Sequence, residues 1–371
     1  MHSYLNRLEK LREKVFAEKA QVAVISMPEN IAYFTGYRGP GLLIVTREKA
    51  KLYVPVLEYW RARESLAETN TLDLVELVAY TTYKLPDVSE VVGKIVYAKL
   101  TDIIAEMVSK ATKVLYDNMP FEVYSKLNGK KLVNIRDTIA YWRSIKEDWE
   151  IERIVQAARI SIRAMLATID YIDYGTTEVE AIGYYMYEAY MRGASAQAFP
   201  PIIAFNENTV YPHAVPSPDN VVVKGSPVLI DVGVCYEGYC SDMTRSYQVG
   251  VKDSEYKKVF EAVYEALVSA IDRIEPGIAA REVDEIARRV LRKYGLSKYF
   301  VHSLGHGIGL QVHEKPRLSN DSQDKLEKNM VVTVEPGVYI PGKFGIRLEE
   351  MVVVTSRGAK VLTKGLPIEF D

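Results

Sequence analysis

The sequence predicts an α/β domain followed by an α+β domain that contains an internal repeat. Three observations carry this. The first third alternates short apolar runs with charged amphipathic stretches, the pattern of interleaved strands and helices. A charged stretch, Arg143–Ile154, then opens a long helical pattern and marks a junction. Beyond it, two segment pairs recur at one offset. EVEAI at Glu178 resembles EVDEI at Glu282, and VLIDVGV around Asp231 resembles VTVEPGV around Glu335, 104 residues apart in both cases (282 − 178 and 335 − 231). Duplication of a helix–helix–hairpin unit explains the shared offset.

The elements follow in order. A helix is expected near Leu5–Ala20 and a strand at Gln21–Met27. Gly41–Pro55 reads as two strands around a charged turn, and a helix near Ser89–Lys110 precedes a strand at Lys113–Asn118. Residues 1–136 hold no histidine after His2 and no carboxylate cluster, so they are expected to form a supporting domain. Residues 137–147 read as a linker and 148–371 as the domain that carries chemistry. There a long helix runs to about Asp173. A second occupies Tyr174–Gly193, where Thr177 and Glu180 fit a capping box and Gly193 a C-terminal stop. Two more helices are expected at about Ser254–Ile274 and Ala280–Tyr294, the latter ended by Gly295.

Composition narrows the function classes. The chain has 371 residues, 48% hydrophobic and 26% charged, with net charge -2. No basic field argues for nucleic acid, and no apolar run reaches the roughly 18 residues of a membrane span. The start reads as a charged amphipathic helix in place of a signal peptide, so a cytoplasmic protein is expected. Cys235 and Cys240 are too few for a disulfide framework. They read as reduced structural thiols, with a Cys-x4-Cys metal pair as the alternative.

The chemistry lies in acids placed inside apolar strands. VLIDVGVCYEGYCSDMTRSYQV reads as a hairpin turning near Tyr236–Glu237 or Glu237–Gly238. In the first register Asp231 lies opposite Asp242, and a shift of one residue keeps them near neighbours. MVVTVEPGVYIPGKFGIRLEEMVVV reads as a second hairpin, whose three-residue turn around Gly342 sets Glu335 opposite Glu349. Two symmetric acid pairs would result. Like charges about 4 Å apart cost roughly 4 kcal/mol per pair at an effective dielectric of about 20. Four such acids stay ionised only beside cations. Pairing with Arg245 and Arg347 is the structural alternative; two divalent ions are the functional one. His306, set among glycines in LGHGIG, could add a nitrogen ligand. His302 and His313 lie in the same stretch, and His213 lies in the proline-rich YPHAVPSP.

Taken together, IDVGVCYEGYCSDMTR, HSLGHGIGLQVHE, TVEPG and GIRLEE resemble the pita-bread metallopeptidases, which include prolidase, aminopeptidase P and methionine aminopeptidase. The resemblance covers nearly the whole chain. It implies a creatinase-type N-terminal α/β domain, a pita-bread (creatinase/aminopeptidase-like) catalytic domain with a pseudo-twofold repeat, and a homodimer. It implies two divalent ions, Mn(II) or Co(II) first and Fe(II) or Zn(II) as alternatives. Asp231 would chelate one ion, Asp242 and Glu349 would bridge both, and His306 and Glu335 would hold the other. His213 would contact substrate, His313 would polarise the scissile carbonyl, and His302 would line the cleft. Arg347 could orient Glu349 or pair with substrate. HEKPR, His313–Arg317, and the chain length are most similar to prolidases, which cleave Xaa-Pro dipeptides, and next to aminopeptidases P. Arg317 could meet a dipeptide's free carboxylate. Glu335 is the candidate for moving the proton of water to the leaving nitrogen. A non-catalytic binding protein on the same fold is the remaining alternative.

Overall fold

The computed structural model describes residues 2–85, 88, 92–126, 131–250 and 253–370. The chain divides into two compact units, Met1–Ala140 and Tyr141–Asp371. Among the described residues no helix is long and apolar enough to cross a membrane.

The first unit is built on one mixed sheet. Helix α1 (His2–Ala17) leads into β1 (Val22–Ile25), α2 (Pro28–Thr35), β2 (Leu42–Thr46), β3 (Ala50–Pro55) and α3 (Tyr59–Glu68). Then come β4 (Glu76–Thr81), β5 (Ile95–Tyr97), α4 (Leu100–Ser109), β6 (Lys113–Tyr116), α5 (Phe121–Lys126) and β7 (Lys131–Asn134). The strand order is β5-β4-β3-β2-β1-β6-β7. Val22, Val24, Leu42, Ile44 and Val114 pack with Ile103, Ile104 and Val108 of α4. The helix expected near Ser89–Lys110 is shorter. Residues 89–91 lie outside the described residues, and Ile95–Tyr97 pairs in parallel with Ala79–Thr81. Strand pairing there overrides a helical reading of residues that fit a pleated surface equally well.

Helix α6 (Arg136–Ser144) runs across the boundary between the units and makes most of the expected linker helical. Next come α7 (Asp148–Tyr171) and α8 (Glu178–Met191). The capping box is present: Glu180 N donates to Thr177 Oγ1 at 3.2 Å, and Thr177 N donates to Glu180 Oε2 at 2.8 Å. Strands β8 (Ala196–Gln197), β9 (Ile202–Phe205), β10 (Pro227–Val232), β11 (Val234–Tyr236), β12 (Tyr239–Cys240) and β13 (Met243–Gln248) complete the first half. The second half repeats the order. Helices α9 (Ser254–Ile271) and α10 (Ala280–Lys293) precede β14 (Gly305–Gly307), β15 (Glu314–Leu318) and β16 (Val331–Val334). Strands β17 (Gly337–Ile340), β18 (Phe344–Arg347), β19 (Glu350–Thr355) and β20 (Gly358–Val361) follow.

The two hairpins differ in register. The first turns at Glu237–Gly238, both with positive φ, 45° and 81°, as a two-residue primed turn requires. Asp231 therefore faces Thr244, not Asp242. Asp242 lies two residues from Thr244, on the same face and diagonal to Asp231. In the second hairpin Val334 faces Glu350 and Gly337 faces Arg347, a register that carries Glu335 opposite Glu349. The expected symmetry of the two acid pairs thus fails: Thr244 stands in the first hairpin where Glu349 stands in the second. The same turn sets Cys235 opposite Cys240. They are joined as a disulfide, which corrects the expectation of reduced thiols or a metal pair.

Packing explains which way the acids point. Val228, Ile230 and Val232 of β10 pack under α7 and α8, which turns Asp231 to the opposite face. Val332, Val334, Val352 and Val354 pack with residues of α9 and α10. Alternation then turns Thr333 and Met351 the other way and, continued in the same register, Glu335 and Glu349 as well.

A buried ionic cluster locks the stretch that ends in His313. Arg143 and Lys146 both reach Glu314, and their side chains are 5% and 1% exposed against 4% for Glu314. Arg143 Nη2 donates to Gln311 Oε1 at 3.0 Å, and Gln311 N donates to Glu314 Oε1 at 3.1 Å. A Cβ on Gly309 would lie 2.7 Å from Glu314 Oε2, so any larger residue there would displace that carboxylate. Burial pushes the Glu314 carboxyl up, but Arg143 and Lys146 outweigh it and hold the group below the ordinary glutamate range. Glu314→Ala strands two buried cations and is expected to cost about 3–5 kcal/mol, read as a lowered melting temperature. Because the folded pKa is depressed, this stabilisation is complete above the unfolded glutamate pKa of about 4.3 and fades as pH falls through the folded value. The gap in melting temperature between wild type and Glu314→Gln should hold near neutrality and close in acid. A gap independent of pH would contradict the pairing.

Candidate metal centre

His306 sits on β14, between β15 and β16. A Cβ on Gly305 would lie 2.0 Å from Thr333 O, and one on Gly307 would lie 2.0 Å from Lys315 O. The flanking glycines therefore admit the neighbouring strands' carbonyls.

The acids of both hairpins meet at this imidazole. His306 Nε2 lies 3.3 Å from Glu335 Oε1 and 3.6 Å from Asp242 Oδ2. Ligand atoms of Asp242, His306 and Glu349 all lie within 4.8 Å of one another. Thr244 Oγ donates to Glu349 Oε2 at 2.7 Å, and Asp231 Oδ2 accepts from Arg347. Asp231, Asp242 and Glu349 are buried, and the Glu335 side chain is 17% exposed.

The electrostatics are those of crowded anions. Burial first, and then the charges of Glu349, Asp231 and Glu335, push the Asp242 carboxyl far above its usual range. Burial, Glu335 and Asp231 do the same to Glu349. Asp231 is raised by burial, against the pull of Arg347. Glu335 differs: burial raises it, but His306, His302 and Arg347 together bring it below the ordinary range.

The donor set fits a cation. His306 Nδ1–H donates to Gly307 O at 3.0 Å, because a carbonyl only accepts. In the neutral ring this leaves the Nε2 lone pair facing the acids. Asp231 Oδ1 and Glu349 Oε1 are buried with no donor among the described residues. An unpaired buried carboxylate oxygen is costly, so two of them beside an imidazole lone pair point to missing positive charge. Four carboxylates and one imidazole make an oxygen-rich set suited to divalent ions.

Arg347 ties the surroundings together. It is 3% exposed. Its Nε donates to Thr244 Oγ1 at 3.2 Å, Nη1 to Tyr339 Oη at 2.5 Å, and Nη2 to Pro212 O at 3.3 Å as well as to Asp231. Four of its five N–H groups are so engaged. The carboxylate it reaches is Asp231, not Glu349. Arg245, considered as a partner for the acids, bonds Glu350 at 2.6 Å instead.

The other histidines are placed differently. His302 Nε2 accepts from Tyr339 Oη at 2.9 Å, while its Nδ1–H donates to Ser303 O at 2.8 Å. His313 meets His306 edge to face, ring centroids 4.3 Å apart. Burial and then His306 lower its pKa, with His213 adding to the push, so its ring is neutral near pH 7. His213 lies in an exposed segment after Val210. Arg317 is exposed on β15, directly opposite His306 in the ladder. Sequence reasoning missed Thr244 and Tyr339. Thr244 follows Asp242 at strand spacing, the one signal that placed it on the same face.

Comparisons with known proteins identify the family. The sequence model described as metallopeptidase family M24 matches residues 152–356, and the creatinase/prolidase N-terminal domain matches residues 7–145. An Xaa-Pro dipeptidase of Pyrococcus furiosus is 36% identical over 96% of this chain and 97% of its own. The solved prolidase of Pyrococcus horikoshii superposes with a TM-score of 0.85 at 34% identity, covering 96% of this chain and 98% of that one. An X-Pro aminopeptidase from Thermotoga maritima gives 0.83 at 30% identity, with 98% of each chain covered. A metallopeptidase of this family works with divalent metal ions, and this donor set could hold one. The chain belongs to metallopeptidase family M24, with a creatinase/prolidase domain ahead of its catalytic domain.

Proposed function

We propose that the chain hydrolyses the peptide bond before proline in Xaa-Pro dipeptides, using two divalent ions held by Asp231, Asp242, His306, Glu335 and Glu349. The observation that carries this is the convergence of Asp242, His306 and Glu349 beside the orphaned oxygens of Asp231 and Glu349. Asp231 would hold one ion, His306 and Glu335 the other, and Asp242 and Glu349 would serve both. Mn(II) or Co(II) suits the set first, then Fe(II) or Zn(II). Bound ions of this kind lower the pKa of a water and polarise a carbonyl.

The chain's own residues do the rest. His313 donates an N–H to the carbonyl oxygen as it gains charge. Glu335, the one acid of the four held low, takes the proton of the attacking water and passes it to the imino nitrogen as the C–N bond breaks. Arg347 keeps Asp231 oriented, and through Tyr339 it fixes the ring of His302 at the cleft. His213 contacts the substrate. Arg317, exposed and opposite His306, meets the dipeptide's carboxylate. The names of the Pyrococcus relatives support a dipeptide substrate. Similarity to the Thermotoga X-Pro aminopeptidase supports the second reading, release of the first residue from longer Xaa-Pro peptides. Family resemblance supports a cytoplasmic homodimer.

With Mn(II) added, Xaa-Pro dipeptides should be cleaved and Xaa-Pro-Yaa tripeptides left intact, and chelation should abolish turnover. Tripeptide cleavage would select the second reading, and cleavage insensitive to chelators would sink both. Asp242→Asn should lose bound metal by elemental analysis, and with it activity, while keeping its circular dichroism; full activity in that variant would end the two-ion assignment. Arg317→Ala should raise KM for dipeptides about 10–100-fold, the worth of one charged hydrogen bond, with kcat nearly kept. An unchanged KM would remove Arg317 from the site. Sedimentation should give twice the chain mass of 42.0 kDa; a monomer would refute the dimer.

A further inference from the structure

The segment between β9 and β10 carries His213, and one buried carboxylate closes it. Glu178, the first residue of α8, is 0% exposed. Its Oε1 accepts from Phe205 N at 2.7 Å, Asn208 Nδ2 at 2.9 Å and Asn220 Nδ2 at 2.8 Å. Its Oε2 accepts from Ser217 N at 2.7 Å and again from Asn208 Nδ2 at 2.9 Å. The donors come from both ends of the segment, so the carboxylate acts as a clasp. Charge-assisted bonds of this kind are about twice as strong as neutral ones, and a helix N-terminus favours the anion.

The clasped segment leans on the acid cluster. Pro212 O, beside His213, accepts from Arg347 Nη2 at 3.3 Å, and the same nitrogen holds Asp231. Gly345 N donates to Thr209 Oγ1 at 2.9 Å, and a Cβ on Gly345 would lie 2.0 Å from Thr209 O. Asn208 Nδ2 also reaches Val215 O at 3.1 Å, across the turn that contains His213. His213 itself is exposed, and the backbone that carries it is held by this frame.

We propose that Glu178 is a positioning residue for the reaction: it touches no substrate, but its carboxylate holds residues 206–220 so that His213 stands over the acid cluster. The inference rests on His213 contacting substrate, and the test separates the two claims. Glu178→Gln keeps the size and replaces one acceptor with an NH₂ that faces other N–H donors. It should lower kcat/KM about tenfold or more, mainly through KM. In a His213→Ala background the same change should cost less than about twofold, because residues acting through one another are not additive. Amide exchange should quicken across 206–220 and stay unchanged in β10 and β16. Asn208→Ala, which keeps the carboxylate and its backbone donors, should show a smaller loss with the same non-additivity, and stands in if Glu178→Gln folds poorly. Equal losses in both backgrounds, or unaltered exchange across 206–220, would overturn the clasp. Unchanged turnover in His213→Ala alone would instead refute the role of His213, with the exchange measurement still deciding whether Glu178 holds the segment.

Discussion

Four carboxyl groups gathered around one imidazole, with Arg347 bonded to one of them, is the constraint on which the catalytic unit depends. Asp231, Asp242 and Glu349 are buried, and each is pushed toward its neutral form by burial and by the charge of Glu335. Such a cluster opposes folding unless positive charge compensates it. Arg347 supplies one charge, directed to Asp231. The rest falls to the divalent ions on which this family relies, and two oxygens without donors mark where charge is lacking.

The scaffold answers this constraint with rigidity. Each hairpin is backed by a helix pair whose apolar contacts take alternate strand residues, so the acids have one direction left to face. Where the strands come closest, glycine is required: Gly305 and Gly307 bring β14 against two carbonyls and set His306 among the acids. Around this core, hydrogen bonds extend outward. Thr244 holds Glu349, and Arg347 joins Asp231 to Tyr339 and His302. The buried cluster of Arg143, Lys146 and Glu314 fixes the stretch that ends in His313. Removal of a partner from any of these leaves a buried polar group unsatisfied, which is why the supporting residues matter as much as those facing substrate.

The duplicated halves have diverged where chemistry demands it. Both use an acid at the same point of the first hairpin strand, Asp231 and Glu335. Opposite them stand Thr244 and Glu349. An exact repeat would face acid with acid in both hairpins. The observed pairing sets one hydroxyl against one carboxylate, and their hydrogen bond joins the hairpins at the site.

Much of this was legible in the chain itself. Acids inside apolar strands, a shared offset of 104 between two pairs of segments (282 − 178 and 335 − 231), and histidines gathered between glycines named the candidate cluster and the repeat. Local rules placed the capping box at Thr177 and the turn around Gly342. Register in the first hairpin was not decided locally, since either turn position satisfied the strand pattern. The choice of Glu237–Gly238 moved Thr244 opposite Asp231 and brought Cys235 and Cys240 together. The roles of Glu314, Tyr339 and Glu178 were equally hidden, because each depends on partners far along the chain. Sequence determines which side chains alternate toward the interior, through the fixed period of a strand. Which of them meet, and which buried charge is answered by which donor, is decided only when distant segments pack, because hydrogen bonds are short-ranged and take no account of chain order.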